Sequence, residues 1–405
     1  MIHTPMKFIL PLLLILISSC PASEFKGDAV KVRDAKIGAG NTGGASIVTS
    51  ETADFLPSCV GKMIWGIESA TGAARLPLGV ITARHSASKV SVSTTASGDY
   101  QQIHLVYGSD DTAALIAAVE EADAKQPKGC VRIPSGGYIF TQTPFVFTRP
   151  AYEGKRPNII GEGSASTFFF PTPGASSVQN CLFNYDIIDG SNVMEGFTVD
   201  GSFRNASGLF IVYESSSANY NQINDVRVVN FTSAFSLITI SAATTCRNIH
   251  LEQSAGGRGL YCNGHVTLVD SYIGNCGYIG LDITNGGAHV RGGRLDECTY
   301  RTVSVQNSSL HLSDTIVYAG AGKTAITVDA TGVLRATGSL IEPFDFNNNS
   351  TGVMIEAGGK AFLNQCTLKG SGTGYGLNNE GAVYDGGNNT ANTKTGTGTI
   401  TTLTL

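Results

Sequence analysis

The chain has 405 residues, 42% of them apolar and 15% charged, with a formal net charge of −5 at pH 7. That apolar share excludes a disordered chain, and the negative balance excludes a general nucleic-acid binder. Gly alone contributes 49 residues. With abundant Ser, Thr and Asn, this composition reads as many short strands joined by tight turns, not as a helical protein.

Lys7 precedes an apolar run from Phe8 to Ile17, followed by Ser18, Ser19 and Cys20. A cationic residue followed by roughly 7–15 apolar ones reads as a secretory signal, too short for a mature membrane span. Residues 1–20 are therefore predicted to be a signal peptide. Ile17-Ser18-Ser19-Cys20 resembles the lipobox of bacterial lipoproteins, which implies lipidation of Cys20; cleavage near Ala22 and Ser23 is the other reading. The expected location is secreted or on the outer surface, with a lipid on Cys20 as the sole membrane contact. Residues 21–45 read as a linker. Residues 46–104 read as a small β module with strands in Gly61–Ile67, Leu78–Thr82 and Lys89–Ser93.

One helix is expected. Ser109-Asp110-Asp111 offers an N-cap and early acidic residues, Thr112 to Ala124 is apolar at helical spacing, and Lys125 and Pro127 close it. A strand Cys130–Ile133, a turn Pro134–Gly137 and a strand from Tyr138 to Phe140 follow.

From about residue 193 a repeat sets in. Leu268, Val290 and Leu312 are 22 residues apart, each inside an apolar–outward–apolar segment that ends in small polar residues such as Asp270-Ser271 and Asp314-Thr315. Looser copies are Val226–Phe231, Ile249–Ser254, Val333–Gly338 and Ala361–Cys366. A second strand runs through Leu260, Leu281, Val303, Ile326, Val353 and Leu377. A period near 22 with short strands means one coil of a β-solenoid, stacked at about 4.8 Å. The predicted fold is all-β: a right-handed parallel β-helix over 105–390, an N-terminal capping helix and the small β module. Residues 391–405 are a tail or cap. Eight Cys beyond Cys20 allow disulfides in an exported chain, though most read as small buried hydrophobes. Cys276 and Cys298 fall at one position on adjacent coils, as stacked thiols or a disulfide.

Gly108-Ser109-Asp110-Asp111-Thr112-Ala113-Ala114, the helix, and Val131-Arg132-Ile133-Pro134-Ser135-Gly136-Gly137-Tyr138 resemble the opening of the pectate-lyase-like right-handed parallel β-helix superfamily. Phe55-Leu56-Pro57-Ser58-Cys59-Val60-Gly61-Lys62 resembles a module placed before such helices in phage tail spikes and secreted bacterial proteins. The resemblance implies the fold and polysaccharide ligands. It does not fix a reaction, because the fold carries hydrolases, lyases, epimerases and adhesins. The polygalacturonase residue set is not intact: Asn263-Gly264-His265 is followed by Val266 where that set has Gly.

Alternate strand residues point outward. The repeat frame puts Thr198, Arg227, His250, Thr267, His289 and His311 in one outward column, and Asp200, Val229, Glu252, Val269, Arg291 and Ser313 in the next. The candidate catalytic residues are Asp200, Arg227, His250, Glu252, His289 and Arg291. Asp200 and Glu252 lie two coils apart, roughly 9–10 Å, near the range of an inverting hydrolase. A lyase would use Arg and His with a Tyr as acid. Substrate-binding candidates are Arg258, Tyr261, Tyr278, Asp282, Tyr300 and His311, with Tyr213 and Glu214 on a loop that walls the groove. Tyr278 and Tyr300 are expected to stack, as a ladder or as a platform for sugar rings.

The expected function is a polysaccharide-degrading lyase or hydrolase acting on an acidic glycan; the alternative is a non-catalytic glycan-binding adhesin. No cofactor is expected, apart from Ca2+ in the lyase case, and no metal ligand is assigned. The expected partner is the polysaccharide, not nucleic acid, with a homotrimer as the oligomer such spikes form.

Overall fold

The structure, a computed structural model, describes residues 27–38, 45–67, 74–124, 129–141, 145–147, 158–172, 183–185, 192–204, 221–231, 236–241, 243–254, 256–344 and 348–402. Cys20 and the signal segment, Cys181, Tyr213 and Glu214 lie outside the described residues.

Six strands, β1 Val30–Gly38, β2 Ser46–Thr49, β3 Met63–Ile67, β4 Ala74–Ser86, β5 Lys89–Val92 and β6 Tyr100–Gly108, close into an antiparallel barrel ordered β1-β2-β5-β4-β3-β6. Phe55, Ile64, Leu76, Ile81, Val90 and Leu105 fill it. The supposed linker over 21–45 is corrected here: it supplies β1, and the module extends to Gly108. Val32, Ala35 and Ile37 face the barrel core, but register shifts between them break the two-residue period that marks a strand in sequence.

The helix is present at Thr112–Asp123, with Leu115, Val119 and Ala122 buried in one cluster with Val131 and Ile133. Asp111 is the N-cap residue but its side chain caps nothing; Asp110 Oδ1 instead accepts the Thr112 N–H at 3.0 Å. Asp111 turns inward, where its Oδ2 accepts the Ile139 N–H at 3.0 Å.

From Cys130 on, the chain winds into stacked coils in which every strand pairs in parallel with its equivalents one coil away. Each full coil has three strands. In the coil starting at His265 these are His265–Val269 (face A), Tyr272–Cys276 (face B) and Ile279–Ile283 (face C). Faces A and B meet at a corner where Asp225, Asn248, Asp270, Gly292, Asp314, Gly338 and Gln365 take φ of 49–64° on successive coils. Gly, Asn and Asp tolerate this left-handed conformation best, which explains the recurrent turn residues. The residue after the corner points inward: Ser271, Thr315 and Ser339 each donate a hydroxyl bond of 3.0 Å to the carbonyl two residues back.

That corner corrects the single outward column. Ile249–Ser254 lies on face B of one coil and Val266–Ser271 on face A of the next, with the face C strand Arg258–Cys262 between them, so they are not equivalent strands of neighbouring coils. Arg227 registers with His250 and His250 with Tyr272 on face B, whereas Thr267 registers with His289 and His289 with His311 on face A. The coil continues past residue 391: Thr390–Ala391, Lys394–Thr395 and Thr399–Thr402 each pair with the coil before. Cys246, Cys262, Cys276, Cys298 and Cys366 are free and buried in the core. The Cys276 thiol is held protonated by its hydrogen bond to Cys298 and by burial. Among the described residues no helix is long and apolar enough to cross a membrane.

Burial, with smaller pushes from Asp28 and Asp110, raises the Asp111 carboxyl to about 7 from 3.8. A raised carboxyl favours the protonated folded state, so stability is full below about pH 4 and falls as pH rises towards 7. Asp111→Asn keeps the acceptor for Ile139 and removes the ionisation. It is expected to flatten that part of the pH–stability curve and to exceed the parent at pH 8 by up to about 4 kcal/mol. Urea midpoints measured across pH check this; an unchanged slope would refute it.

Candidate functional site

Face B carries one group of outward ionisable side chains. One outward column carries Thr198, Arg227, His250, Tyr272 and Arg294 on five successive coils. Beside it, two residues further along each strand, run Asp200, Val229, Glu252, Gly274 and Asp296.

His250 and Glu252 point out from the same strand, and Nε2 meets Oε2 at 2.7 Å. Glu252 Oε1 also accepts from Asn275 Nδ2 at 3.0 Å, so the carboxylate is held while it orients the imidazole. The Tyr272 ring stacks on His250 with centroids 4.6 Å apart. Its hydroxyl reaches over Gly274 and donates to Asp296 Oδ2 at 3.3 Å. Gly274 makes the room: a Cβ there would lie 2.4 Å from the Tyr272 hydroxyl and 2.9 Å from Asp296 Cβ. Burial, then the Asp296 and Glu252 charges, push the phenol above its ordinary range, so it stays protonated and can donate.

Two guanidiniums bracket this group. Arg294 pairs with Asp296 through Nη2, and its Cζ lies 4.6 Å over the Tyr318 ring. Arg227, one coil before His250, has a buried Nε without a hydrogen-bond partner among the described residues, as does Arg294. At the N-terminal end the barrel covers face B. A cleft of about 410 Å³ lies there, lined by Val30, Lys31, Phe168, Phe170 and Asp200 among others. Asp200 is tied in that junction: its Oδ2 meets Lys31 Nζ at 2.6 Å and its Oδ1 accepts from Asn230 at 2.9 Å.

Of the six catalytic candidates, face B thus holds Asp200, Arg227, His250 and Glu252. His289 and Arg291 stand on face A, around the corner, and are corrected out of this group. Tyr272, Arg294 and Asp296 were not among the sequence candidates. The signal for them was present, since 250, 272 and 294 are spaced by 22.

Five of the substrate-binding candidates meet near face C, while His311 stacks on His289 on face A. Tyr261 and Asp282 share the outward position of face C. Arg258 Nε bonds the buried Asp282 Oδ2 at 2.5 Å, and the other oxygen, Oδ1, has no partner among the described residues. Tyr278 and Tyr300 do stack, at 5.1 Å and 1°. Their flat faces are not a free platform: Arg258 Cζ lies 5.4 Å from the Tyr278 ring centre and Arg301 Cζ 4.7 Å from that of Tyr300. The pair is a ladder bracketed by cations. For the Ca2+ considered with a lyase, no group of three His, Cys, Asp or Glu side chains able to share an ion occurs among the described residues.

Comparison with solved structures agrees with this architecture. The A-module of mannuronan C-5 epimerase AlgE4 from Azotobacter vinelandii superposes with a TM-score of 0.52 at 15% identity, over 73% of this chain and 94% of that one. Full-length tailspike protein 2 of the Escherichia coli O157:H7 bacteriophage CAB120 gives 0.51 at 13% identity, over 86% of this chain and 49% of that one. The chain thus spans about half of that tail spike. No protein-family model and no curated protein matches. The chain has the fold of the parallel β-helix superfamily.

Gly274→Ala is expected to displace the Tyr272 hydroxyl from Asp296 and bring its titration back towards the ordinary phenol range near ~10. Subtracting the alkaline ultraviolet titration of Tyr272→Phe isolates this one phenol. The same midpoint with and without Gly274 would show that the glycine does not position the ring.

Proposed function

We propose that the protein is an exported enzyme that cleaves an acidic polysaccharide by β-elimination along face B. In this reading His250, oriented by Glu252, takes the proton from the sugar carbon beside the carboxylate. The electrons of that C–H bond form the new double bond and expel the glycosidic oxygen, which receives the Tyr272 proton. Arg227 and Arg294 offset the charge that builds on the sugar carboxylate. The observation that carries the reading is the His250–Tyr272 stack, with a carboxylate on the imidazole and two acids keeping the phenol protonated.

Hydrolysis by Asp200 and Glu252 is the weaker version. Asp200 stands two coils from Glu252 as the repeat requires, but its carboxylate already binds Lys31 and Asn230. A fold neighbour named for C-5 epimerisation of mannuronan gives support, since that reaction is also centred on the carbon beside a uronate carboxylate. The proposal includes secretion or display on the outer surface, and a role for the helix Thr112–Asp123 in closing the N-terminal end of the coil. Support for that role is the burial of Leu115 and Val119 with the core.

Purified protein on a panel of uronate and neutral polysaccharides tests the activity. Unsaturated ends, read by absorbance, are expected on a uronate polymer. His250→Ala and Tyr272→Phe are expected to lower kcat by about 10²–10⁴ with an unchanged melting temperature, and Glu252→Gln to follow them. Full activity in both of the first two variants would remove face B as the site. New reducing ends without unsaturation would replace elimination with hydrolysis. Binding without turnover by the parent would favour an adhesin.

A further inference from the structure

Face A presents nitrogen donors that the chemistry of face B does not use. Thr267, His289, His311, Arg335, Phe362 and Tyr384 take one outward position on six successive coils. His289 and His311 stack at 4.3 Å and 9°. Arg335 Cζ lies 4.3 Å over Phe362, which stacks on Tyr384 at 4.5 Å. Two residues further along, Arg247 and Arg291 stand on either side of Val269. Arg291 and Arg335 are exposed, and no acidic residue occurs on the face A strands from Thr244–Arg247 to Lys360–Asn364. Asp329, which accepts the Asn307 N–H at 3.4 Å, stands at the far corner and Asp385 follows Tyr384; the carboxylates that border the row at the face A–face B corner are Asp270 and Asp314. Their Oδ1 atoms lie over Gly292 and Gly338, where an added Cβ would meet them at 2.5 and 2.4 Å.

Rings stacked along the coil axis cover each other's faces and turn their edges to solvent. Edges offer imidazole and guanidinium N–H donors at the strand spacing of about 4.8 Å. Such a row suits an extended chain with one carboxylate on each sugar. It gives nucleic-acid bases no open ring face to stack on.

We propose that face A is a second glycan site, which holds an extended acidic polysaccharide without cutting it. The site lies around the corner from His250 and Tyr272, and it stands whether or not face B is catalytic. Its affinity rises in acid. Burial, then His289 and Arg335, hold the His311 imidazole below its usual range, so it is neutral near pH 7 and gains charge as pH falls. The charged and titratable groups around the pair are Arg291, Arg335, His265 and Lys360, with Asp270 and Asp314 at one border and Asp329 at the other; apart from those three the surroundings are cationic or neutral. A bound carboxylate therefore favours the imidazolium, and binding takes up protons.

Titration calorimetry of the full chain with polygalacturonate, dextran and single-stranded DNA tests the proposal. Polygalacturonate is expected to bind, to weaken with salt, and to tighten between about pH 8 and pH 5.5. Arg291→Ser with Arg335→Ser is expected to weaken it at least about tenfold with an unchanged melting temperature. His289→Gln with His311→Gln is expected to remove the pH dependence, and Tyr272→Phe to bind like the parent even where turnover is lost. Parent-like affinity in the double Arg variant overturns the site. So does tighter binding to DNA or dextran than to polygalacturonate, or loss of binding in Tyr272→Phe, which would put the glycan on face B.

Discussion

No coil of this protein can bury its own apolar wall. A coil about 22 residues long places a few aliphatic side chains on the inside of three short strands, and only the coils above and below shield them. The core is accordingly one continuous cluster from Leu115 to Val383 among the described residues. Stacking requires every coil to turn at the same place, which is why the face A–face B corner repeats its left-handed residue from Asp225 to Gln365. A slip of one residue at one corner would turn the inward side chains of the next strand outward. The corner thus fixes register, and register decides which distant residues become neighbours.

The sequence made the solenoid plain because inward positions are constrained on every coil. Leu268, Val290 and Leu312 announce their period by themselves, and they register as neighbours. The division into faces was harder to see. Face A and face B strands share the same alternation, so Ile249–Ser254 could be set beside Val266–Ser271 although only 17 residues separate their starts. The distinguishing mark was the corner itself, a residue in left-handed conformation, Asn, Asp or Gly at all but one corner, which comes after a face A strand and before a face B strand. Reading Asn248 as that corner would have moved His250 to face B and brought in Tyr272 and Arg294. The first barrel strand was hidden for a different reason: its bulges spoil the two-residue period.

Outward positions are free of the core's demands, and they are where the faces differ. A net charge of −5 conceals this sorting. Face A carries cations and imidazoles, face B interleaves cations with acids and a phenol, and face C pairs a buried Asp282 with the half-buried Arg258 beside the Tyr ladder. Stacking links the three. Planar side chains one coil apart fall within van der Waals reach, so the packing that steadies the solenoid also covers ring faces and leaves edges for chemistry. By that rule Tyr278 and Tyr300 have their ring faces set against each other and against Arg258 and Arg301, and His289 and His311 cover one another in the same way.

The barrel determines how much of face B stays open. The Ala29 N–H bonds the Gly137 carbonyl at 2.8 Å, and Trp65, Ile67 and Val106 pack with Ile139 and Phe170. Lys31 then meets Asp200 in a pair whose side chains keep only 13% and 9% of their exposure. An ion pair so far from water is stable only while both partners are present, because either charge alone would be left poorly solvated. Asp200 therefore serves as an anchor for the barrel, although its column and spacing suit it for catalysis. Glu252 and Asp296, two and four coils from Asp200, keep their carboxylates turned to His250 and Tyr272. The docking of one module on another has in this way divided a single row of acids into one bound across the junction and two that pair with side chains of face B itself.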